Sequence, residues 1–373
     1  MHYFEYATKD TTLYERSSSM NTGLDEILEV IKDINSDGSV VYASRALIKF
    51  DLTYISKSVS SGLIPSSSKF PKFYLNLYDA NSTALNISQK LYGYPVSQSW
   101  DMGSGRKDSV PEIQDGATWR WKDNDVAKTY WTSVTGSGGN WYSGSGYEAS
   151  QSFTHEAADL RMDVTDITWK WLHSTVPNEG FMIKRSGSVG NTSTTVEEGN
   201  ATKYGTFSFF GRETHTVYQP KLEVVWDDST WATGSLSALS STNLEDMVLY
   251  MRGLRPEYRE ASKVKFRVVG RERYPEKTFS TTGYSTGYTT AKYLPSGSTY
   301  YQIKDAYTED IIVPFGSGSV VSCDSTGNYF NLWMNGLQSE RFYRVEYKVV
   351  SGSGTTNETV QYFDENHSFK VVR

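Results

Sequence analysis

The side chains best suited to binding chemistry are aromatic and lie in one loop-rich segment, residues 101–146. Tryptophan and tyrosine are interspersed there with Gly, Ser and charged residues. Such rings combine a large apolar face with a polar group, so they suit both sugar stacking and protein interfaces. The candidate interface or glycan-stacking residues are Trp119, Trp121, Trp131, Trp141 and Tyr142. Core and subunit-contact roles together are favoured over a glycan platform.

A run of tyrosines in the second half of the chain leaves the same alternatives open. These rings also stand among Gly, Ser and Thr, so a buried role and an exposed role are both compatible with the sequence. The run comprises Tyr284, Tyr288, Tyr293, Tyr300 and Tyr301.

Four charged residues near predicted strand ends form a possible polar cluster, namely Arg45, Asp51, Arg212 and Glu213. Catalytic carboxylates need perturbed pKa values and a substrate groove beside them, and no general base with such a groove is evident. A structural ion-pair network is therefore favoured over a catalytic pair.

Metal binding has one weak candidate, Asp123-Asn124-Asp125, whose alternating oxygen ligands suit calcium. The Gly and the distal Glu of a calcium loop do not follow at the expected spacing, so a solvated turn is favoured. The histidines (His2, His155, His173, His215 and His367) are scattered and form no zinc pattern. We predict no metal site.

No nucleophile motif accompanies these residues. The Gly/Ser-rich run Gly144-Ser145-Gly146 is not followed by a predicted helix, so it cannot form a nucleophile elbow. The single cysteine, Cys323, lies in a predicted strand and is interpreted as a buried structural thiol. The sequence therefore predicts no catalytic residue, no cofactor and no enzymatic activity.

The composition bounds the class of protein. The 373 residues are 38% hydrophobic and 14% aromatic, which is enough to build a core, and the length suggests more than one domain. The net charge of −6 argues against a nucleic-acid binder. No N-terminal secretion signal is recognised, and no apolar run approaches the roughly 20 residues that a membrane span needs.

Alternating apolar residues predict strands in the first half of the chain. One segment, Leu24–Ile34, is compatible with either a short helix or a strand. A short helix is predicted at Ile167–Leu172, capped by Asp163 or Thr165. The predicted strands are Ala7–Glu15, Ser44–Leu52, Phe73–Tyr78, Leu85–Pro95, Phe153–Met162, Phe181–Lys184, Phe207–Arg212 and Leu222–Trp226. In Ser44–Leu52, the residues Ala46, Ile48, Phe50 and Leu52 are predicted to share one buried face.

A second set of strands follows a Ser/Thr/Gly-rich stretch, 229–243, which we interpret as a linker. Roughly seven short strands in this part are typical of an immunoglobulin-like sandwich. The main ones are Val264–Val269, Tyr300–Ile303, Ile311–Phe315, Asn328–Met334, Arg341–Val349 and Phe369–Val372. The predicted fold class is all-β, with an immunoglobulin-like β-sandwich in the C-terminal part.

An ordered series of short motifs covers most of the first 228 residues. The series comprises Asp10–Glu15, Asn21-Thr22-Gly23, Arg45–Leu52, Gln98-Ser99-Trp100, Asp163-Val164-Thr165, Trp171, Asn178–Phe181, Gly211-Arg212-Glu213 and Pro220–Val224. In these motifs the chain resembles the DNRLRE-type jelly-roll module, which is related to carbohydrate-binding modules. The resemblance implies three parts: a jelly-roll domain at 1–228, a linker at 229–243 and an immunoglobulin-like domain at 244–373.

The resemblance also implies a role. Modules of this type look at home in tailed-phage virion proteins, which are made in the host cytoplasm without a secretion signal. We therefore expect a non-catalytic structural protein of a tailed-phage virion, in the tail, neck or head-attached part. Its expected partners are other virion structural proteins in a multi-copy symmetric assembly, with no nucleic acid and no membrane span. The alternative is a carbohydrate-binding adhesin that contacts a glycan of the host cell envelope.

Overall fold

The computed structural model of the chain is all-β, with 45% strand and 8% helix. The described residues are 1–35, 41–66, 71–85, 88–125, 128–132, 138–154, 159–187, 197–239, 244–274, 291–352, 354 and 356–373. The all-β class predicted from alternation is confirmed. The finer assignment, jelly-roll followed by immunoglobulin-like sandwich, stays a prediction.

The chain divides into two compact units. The N-terminal unit contains Glu5–Ser66 and Lys72–Val224, and the C-terminal unit consists mainly of Met1–Phe4 and Val225–Arg373. Within the predicted linker, Ser237–Ala238 is a short strand that pairs in parallel with Lys292–Tyr293. The predicted boundaries at 228 and 243 stay a prediction.

The N-terminal unit contains a ten-stranded sheet and a separate two-stranded pair. Its strands are β1 (His2–Tyr14), β2 (Ile27–Ile34), β3 (Val41–Phe50), β4 (Lys72–Leu77), β5 (Gln89–Pro95), β6 (Trp121–Asp123), β7 (Thr129–Tyr130), β8 (Ala149–Phe153), β9 (Leu160–Asp163), β10 (Phe181–Lys184), β11 (Gly205–Phe210) and β12 (Lys221–Val225). The sheet order is β8-β5-β10-β3-β1-β12-β4-β9, with β2 joined to β3 and β11 joined to β2. Strands β6 and β7 form a separate two-stranded pair.

The ambiguous segment at Leu24–Ile34 is a strand, β2. Its alternate residues Leu28, Val30 and Lys32 are buried, which is the period of two that a half-covered strand requires. The single strand predicted at Phe153–Met162 is instead two strands, β8 and β9, which occupy different positions in the sheet.

Strand β3 is buried on both faces. Leu47 has no more exposure than its neighbours Ala46 and Ile48, and all three are at 0%. The prediction that one face of this strand is buried therefore describes only half of its packing. The strand ends at Phe50, and the helix α1 (Thr53–Ser60), which was not predicted, follows it.

The predicted short helix is present as α2, Thr165–Leu172, but its N-cap is Val164 and has no side-chain cap hydrogen bond, so the predicted cap at Asp163 or Thr165 is wrong. One carboxylate oxygen of Asp163 accepts a hydrogen bond from the Thr165 amide at 3.0 Å, at the first turn. The Thr165 hydroxyl accepts from the Phe73 amide at 3.0 Å. The ring of Trp171 packs edge-on against Phe181, 4.5 Å between centroids, so the helix is held against strand β10.

The turn before β10 depends on a glycine. The Asn178 side-chain amide donates to the Phe50 carbonyl at 2.9 Å, and the Gly180 amide donates to the Asn178 side chain at 3.2 Å. Gly180 has φ +90°, and a Cβ there would lie 2.4 Å from the Ile48 carbonyl oxygen. Only glycine fits this close approach of two backbones.

The C-terminal unit contains two sheets. Its strands are β13 (Ser237–Ala238), β14 (Met247–Arg252), β15 (Glu257–Arg259), β16 (Lys263–Glu272), β17 (Lys292–Tyr293), β18 (Thr299–Asp305), β19 (Ile311–Val313), β20 (Ser322–Asp324), β21 (Gly327–Trp333), β22 (Phe342–Ser351) and β23 (Thr359–Val372). The six-stranded sheet has the order β13-β17-β16-β21-β20, with β14 paired to β16, and the five-stranded sheet has the order β15-β23-β22-β18-β19.

The inner faces of these two sheets share one aromatic core. Tyr301 of β18 stacks on Phe330 of β21 with 4.0 Å between centroids. Phe266 of β16 lies 5.3 Å from Phe369 of β23. In β22 the residues alternate between buried and partly exposed, so its other face points away from this core.

Candidate functional site

Two members of the predicted aromatic set, Trp119 and Trp131, lie in a hydrophobic core of the N-terminal unit, and Trp141 packs against it. Trp119 and Trp131 are 6% and 5% exposed and pack with Trp100 and Leu47. The indole nitrogen of Trp131 donates to the Thr118 carbonyl at 2.9 Å. This core explains why β3 is buried on both faces, because Leu47 points into it.

Trp121 is also enclosed. It is 9% exposed and lies 5.6 Å from the ring of Tyr130. The side chains of Arg120 and Lys128 lie 5.3 Å and 5.4 Å from the centroid of its ring. Trp119, Trp121 and Trp131 thus have a core role and offer no open face for a sugar.

Trp141 and Tyr142 are the two partly exposed members of the predicted set. The Trp141 ring lies 5.0 Å from the guanidinium carbon of Arg45 and 5.0 Å from the ammonium nitrogen of Lys184. Tyr142 stacks on Tyr147 with 5.7 Å between centroids. Trp141 therefore lies against a group of buried charges.

The centre of this charge group is Glu198. Its Oε1 accepts from Arg45 Nε at 3.0 Å, and its Oε2 accepts from Arg45 Nη2 at 2.7 Å. Lys184 Nζ lies 3.2 Å from the same Oε2. Arg45, Lys184 and Glu198 are 2%, 1% and 1% exposed. A substrate could not reach these groups without opening the core, so the arrangement is structural.

The charge group extends to Arg185 and Glu197. Arg185 is fully buried, its Nη2 donates to the Tyr204 carbonyl at 2.9 Å, and its Nη1 lies 3.9 Å from Glu197 Oε2. Burial lowers the pKa of Arg185 to about 10 and raises the pKa of Glu197. Burial also lowers the pKa of Lys184 to about 8, and the attraction of Glu198 opposes that shift.

The predicted arginine-carboxylate set is not one network. Arg45 pairs with Glu198, whereas Arg212 forms a partly exposed ion pair with its neighbour Glu213. Asp51 accepts from the amide and hydroxyl of Thr53 at 2.9 Å and 2.6 Å, and these bonds lower its pKa. The contacts of these four residues are compatible with a structural role. The residues do not form one cluster.

Sequence reasoning missed Glu198 because it lies at the end of a polar, turn-rich stretch, 186–200. A weak signal was available in its partners, since Arg45 interrupts an apolar strand and Lys184-Arg185 directly follows another. Charged residues are almost never fully buried unless they are paired. Cations in buried strands therefore indicate a carboxylate elsewhere in the chain, without identifying it.

Asp10 is a buried carboxyl that sequence reasoning also missed. It is 1% exposed, and one of its oxygens accepts from the Arg212 amide at 2.6 Å. Burial raises its pKa to about 7; the Arg212 amide and charge oppose the shift, and the charges of Glu213 and Asp25 add to it.

The metal candidate and the histidines do not assemble into a metal site within the described ranges, where no group of three potential ligands is found. The Asp125 amide donates to the Asp123 side chain at 3.0 Å, which is a local turn, but Asn124 is 3% exposed, so the turn is not solvated throughout as predicted. His173 stacks on Trp169 at 5.1 Å, and His367 Nε2 accepts from the Met251 amide at 3.1 Å. His155 lies outside the described residues.

Cys323 is buried, in β20, as the sequence suggested. Burial raises the pKa of its thiol, with a further increase from the neighbouring charge of Asp324. A raised pKa disfavours the thiolate, which is the reactive form. Ser145 lies in an exposed turn in which the Tyr147 amide donates to the Gly144 carbonyl at 3.0 Å.

The tyrosine run divides between core and surface. Tyr301 is 1% exposed, and Tyr293 packs edge-on against Trp231 at 6.1 Å. Tyr300 is partly exposed on the opposite face of β18 from Tyr301. Tyr284 and Tyr288 lie outside the described residues.

Tyr300 lines an open cleft on the outer face of the five-stranded sheet. The cleft has a volume of about 440 Å³, and Phe315 and Lys348 line it with Tyr300. In the sheet register, Lys348 of β22 lies directly opposite Tyr300 of β18 on one side and Tyr362 of β23 on the other. The ring of Tyr362 is 59% exposed and lies 5.8 Å from the ring of Phe315. We call Tyr300, Phe315 and Lys348, together with the adjacent Tyr362, the Tyr300 cleft.

The N-terminal unit has a groove of its own, of about 340 Å³. There the Tyr14 hydroxyl donates to Glu29 at 2.5 Å, and Lys107 pairs with the same carboxylate at 2.5 Å. Arg16 lies 5.2 Å from the ring centroid of Tyr42, which also lines the groove. Tyr14 is 7% exposed, so this groove offers less aromatic surface than the Tyr300 cleft.

Among the described residues, no helix is long and apolar enough to cross a membrane. No family model matches the chain, and no curated protein matches it. One solved structure with weak similarity is a DUF4785 family protein from Legionella pneumophila, at 9% identity and a TM-score of 0.20. The match covers 93% of this chain and 62% of the Legionella protein, so this chain spans less than two thirds of the length of the Legionella protein. A TM-score this low does not indicate a shared fold.

Proposed function

We propose that this chain is a non-catalytic structural protein of a tailed-phage virion that docks onto other virion proteins. The predicted arginine-carboxylate residues Arg45, Asp51, Arg212 and Glu213 are engaged in structural contacts. The buried Arg45–Glu198–Lys184 cluster is the observation that carries the non-catalytic part, because none of these groups is more than 2% exposed. The virion part rests on the resemblance of residues 1–228 to DNRLRE-type modules.

An exposed apolar surface on the C-terminal unit supports docking. Tyr307 is 76% exposed, Ile311 is 55% exposed and Phe342 is 39% exposed. The rings of Tyr307 and Phe342 lie 6.2 Å apart, and Ile311 belongs to β19, the last strand in the sheet order. Exposed apolar side chains at or near an edge strand are typical of protein-binding surfaces. We call these three residues the Tyr307 patch.

The proposal is tested by mass spectrometry of purified particles. We expect the chain to co-purify with virions in several copies. A Tyr307→Glu variant should be incorporated less, because a charge would be buried in the docking interface. Tyr274→Glu is the matched control, since Tyr274 is 79% exposed and follows a strand of the other sheet. Absence of the expressed chain from purified particles would overturn the virion role.

The second candidate function is a carbohydrate-binding adhesin that contacts the host cell envelope. The observation that favours it is the Tyr300 cleft, where three partly or largely exposed aromatic rings surround a lysine. The tryptophans of segment 101–146 do not favour it, because three of them are buried.

A further inference from the structure

We propose that the Tyr300 cleft of the C-terminal unit is an oligosaccharide-binding site. This inference deepens the second candidate function and places it outside the jelly-roll-like half of the chain. It is independent of the virion role, because a structural virion protein need not bind a glycan.

The first argument is the state of Lys348. Its ammonium group has no hydrogen-bond or ion-pair partner among the described residues. Its Nζ lies 5.9 Å from the centroid of the Tyr300 ring. The other cation of the same strand is different, since Arg344 pairs with Glu309 at 2.7 Å and with Glu346 at 3.3 Å. Lys348 is therefore available to donate hydrogen bonds to a ligand.

The second argument is the spacing of the rings. Tyr300 and Tyr362 flank Lys348 in the same register row on strands β18 and β23, so their backbones lie two strand spacings apart. Two spacings amount to about 9–10 Å. Two sugar rings of one oligosaccharide can stack over such a pair while the lysine between them donates to ring or hydroxyl oxygens. The Tyr300 hydroxyl donates to the Gly297 carbonyl at 3.0 Å, which orients its ring before binding.

The third argument is the polarity of the rim. The carboxylates of Asp227 and Glu358 also line the cleft. Each uses one oxygen for a backbone amide, from Ser229 at 2.8 Å and from Gly354 at 3.0 Å. The other oxygen can accept from sugar hydroxyls, and such charge-assisted bonds are short and strong. Aromatic faces with both donors and acceptors around them match a hydroxyl-rich ring.

The geometry disfavours other occupants. A strand-forming peptide would add to a sheet edge, whereas Lys348 lies on the central strand of the five-stranded sheet. Nucleic acid would need several cations, whereas this cleft presents one lysine and two carboxylates. The volume of about 440 Å³ is in the range of small-ligand sites.

The test is an array of bacterial envelope oligosaccharides probed with the full chain, followed by titration calorimetry with the strongest binder. We expect binding by the native chain and a loss of about tenfold or more in affinity for Tyr362→Ala and for Lys348→Gln. Tyr362→Trp should retain binding, because it keeps a stacking face.

Two control variants separate this site from the rest of the chain. Tyr307→Ala removes a more exposed ring at a different position on the same unit. Trp141→Ala removes a ring of the N-terminal unit. Both variants should bind as the native chain does. No binding on the array, or equal binding by native chain and Tyr362→Ala, would overturn the proposal. Neither result would affect the virion role, which particle mass spectrometry decides. Circular dichroism of each variant shows that a lost affinity is not lost folding.

Discussion

Arg45 and Glu198 lie 153 positions apart and form a buried two-point ion pair, with Nε–Oε1 at 3.0 Å and Nη2–Oε2 at 2.7 Å. Lys184 shares the same carboxylate at 3.2 Å, so two buried cations share one counter-charge. This arrangement connects strands β3 and β10 to Glu198, near the end of the 186–200 stretch. It also makes Glu198 the residue on which the polar interior of the N-terminal unit depends.

Replacing Glu198 should therefore be costly. Glu198→Gln keeps the shape of the side chain but leaves Arg45 and Lys184 without a counter-charge in the core. We expect the free energy of unfolding to fall by about 3–5 kcal/mol. Urea unfolding measures it, with Glu213→Gln as the control. The Arg212–Glu213 pair is partly exposed, so the control should lose only about 0–1 kcal/mol. Equal losses for both variants would contradict a special role for Glu198.

The tryptophans of segment 101–146 should act on stability. Trp119 packs in a hydrophobic core with Trp100 and Trp131, and its ring lies 4.7 Å from the guanidinium carbon of Arg45. Trp119→Ala leaves a large cavity and should lower the free energy of unfolding by about 3–5 kcal/mol. Tyr130→Ala is the control, because Tyr130 is 59% exposed in the same segment. A Trp119→Ala protein of native stability that no longer binds a glycan would restore the stacking role.

The pH dependence of stability should reveal Asp10. Its folded pKa of about 7 lies above the ordinary value of 3.8, so the folded state binds the extra proton between these values. The contribution is present below pH 3.8 and is lost as the pH rises towards 7, so stability should fall across that window. Urea midpoints at pH 5 and pH 8 measure the slope.

Asp10→Asn should flatten that slope, because its amide oxygen still accepts from the Arg212 amide and cannot ionise. A residual slope should persist from Glu15 and Asp25, whose pKa values burial also raises. Asp51→Asn is the control, since the pKa of Asp51 is lowered and its titration lies outside the window. An unchanged slope in Asp10→Asn would mean that another group governs it.

The turn at Gly180 should not tolerate a side chain. Gly180→Ala places a Cβ 2.4 Å from the Ile48 carbonyl oxygen, so strand β3 or the turn must shift. Gly62→Ala is a matched control, because Gly62 has φ +74° and nothing within 4 Å of the added Cβ. Both variants carry the strain of a left-handed backbone, about 1–2 kcal/mol. Gly180→Ala should lose about 1–3 kcal/mol more, as overpacking does. Equal unfolding midpoints would show that the turn adapts.

Much of the strand content could be predicted because it follows from the alternation of apolar and polar residues along the chain. Phe181–Lys184 occupies the strand that was predicted, and Lys263–Glu272 and Phe342–Ser351 extend predicted strands by a few residues. A period of two reports that one face of a strand is covered. It cannot report a second covering layer, which is why the burial of Leu47 was missed.

The tryptophan loops show the opposite case. Gly, Ser and charged neighbours around Trp119 and Trp131 indicate an irregular segment on the surface, and the described part of segment 101–146 contains little strand. Irregular backbone can still fold over a sheet and bury its large rings there. Composition describes the loop, whereas burial depends on what the loop lies against.

The sequence by itself determined the all-β class, the short helix α2 and the turn at Gly180, because each follows from local periodicity or from turn-forming residues. Only the tertiary structure decided that Glu198 is the partner of Arg45 and Lys184. It alone set Tyr300, Lys348 and Tyr362 in one row, since strand register joins Tyr300 to Lys348 and Lys348 to Tyr362. Such pairings depend on long-range packing, which no local pattern encodes.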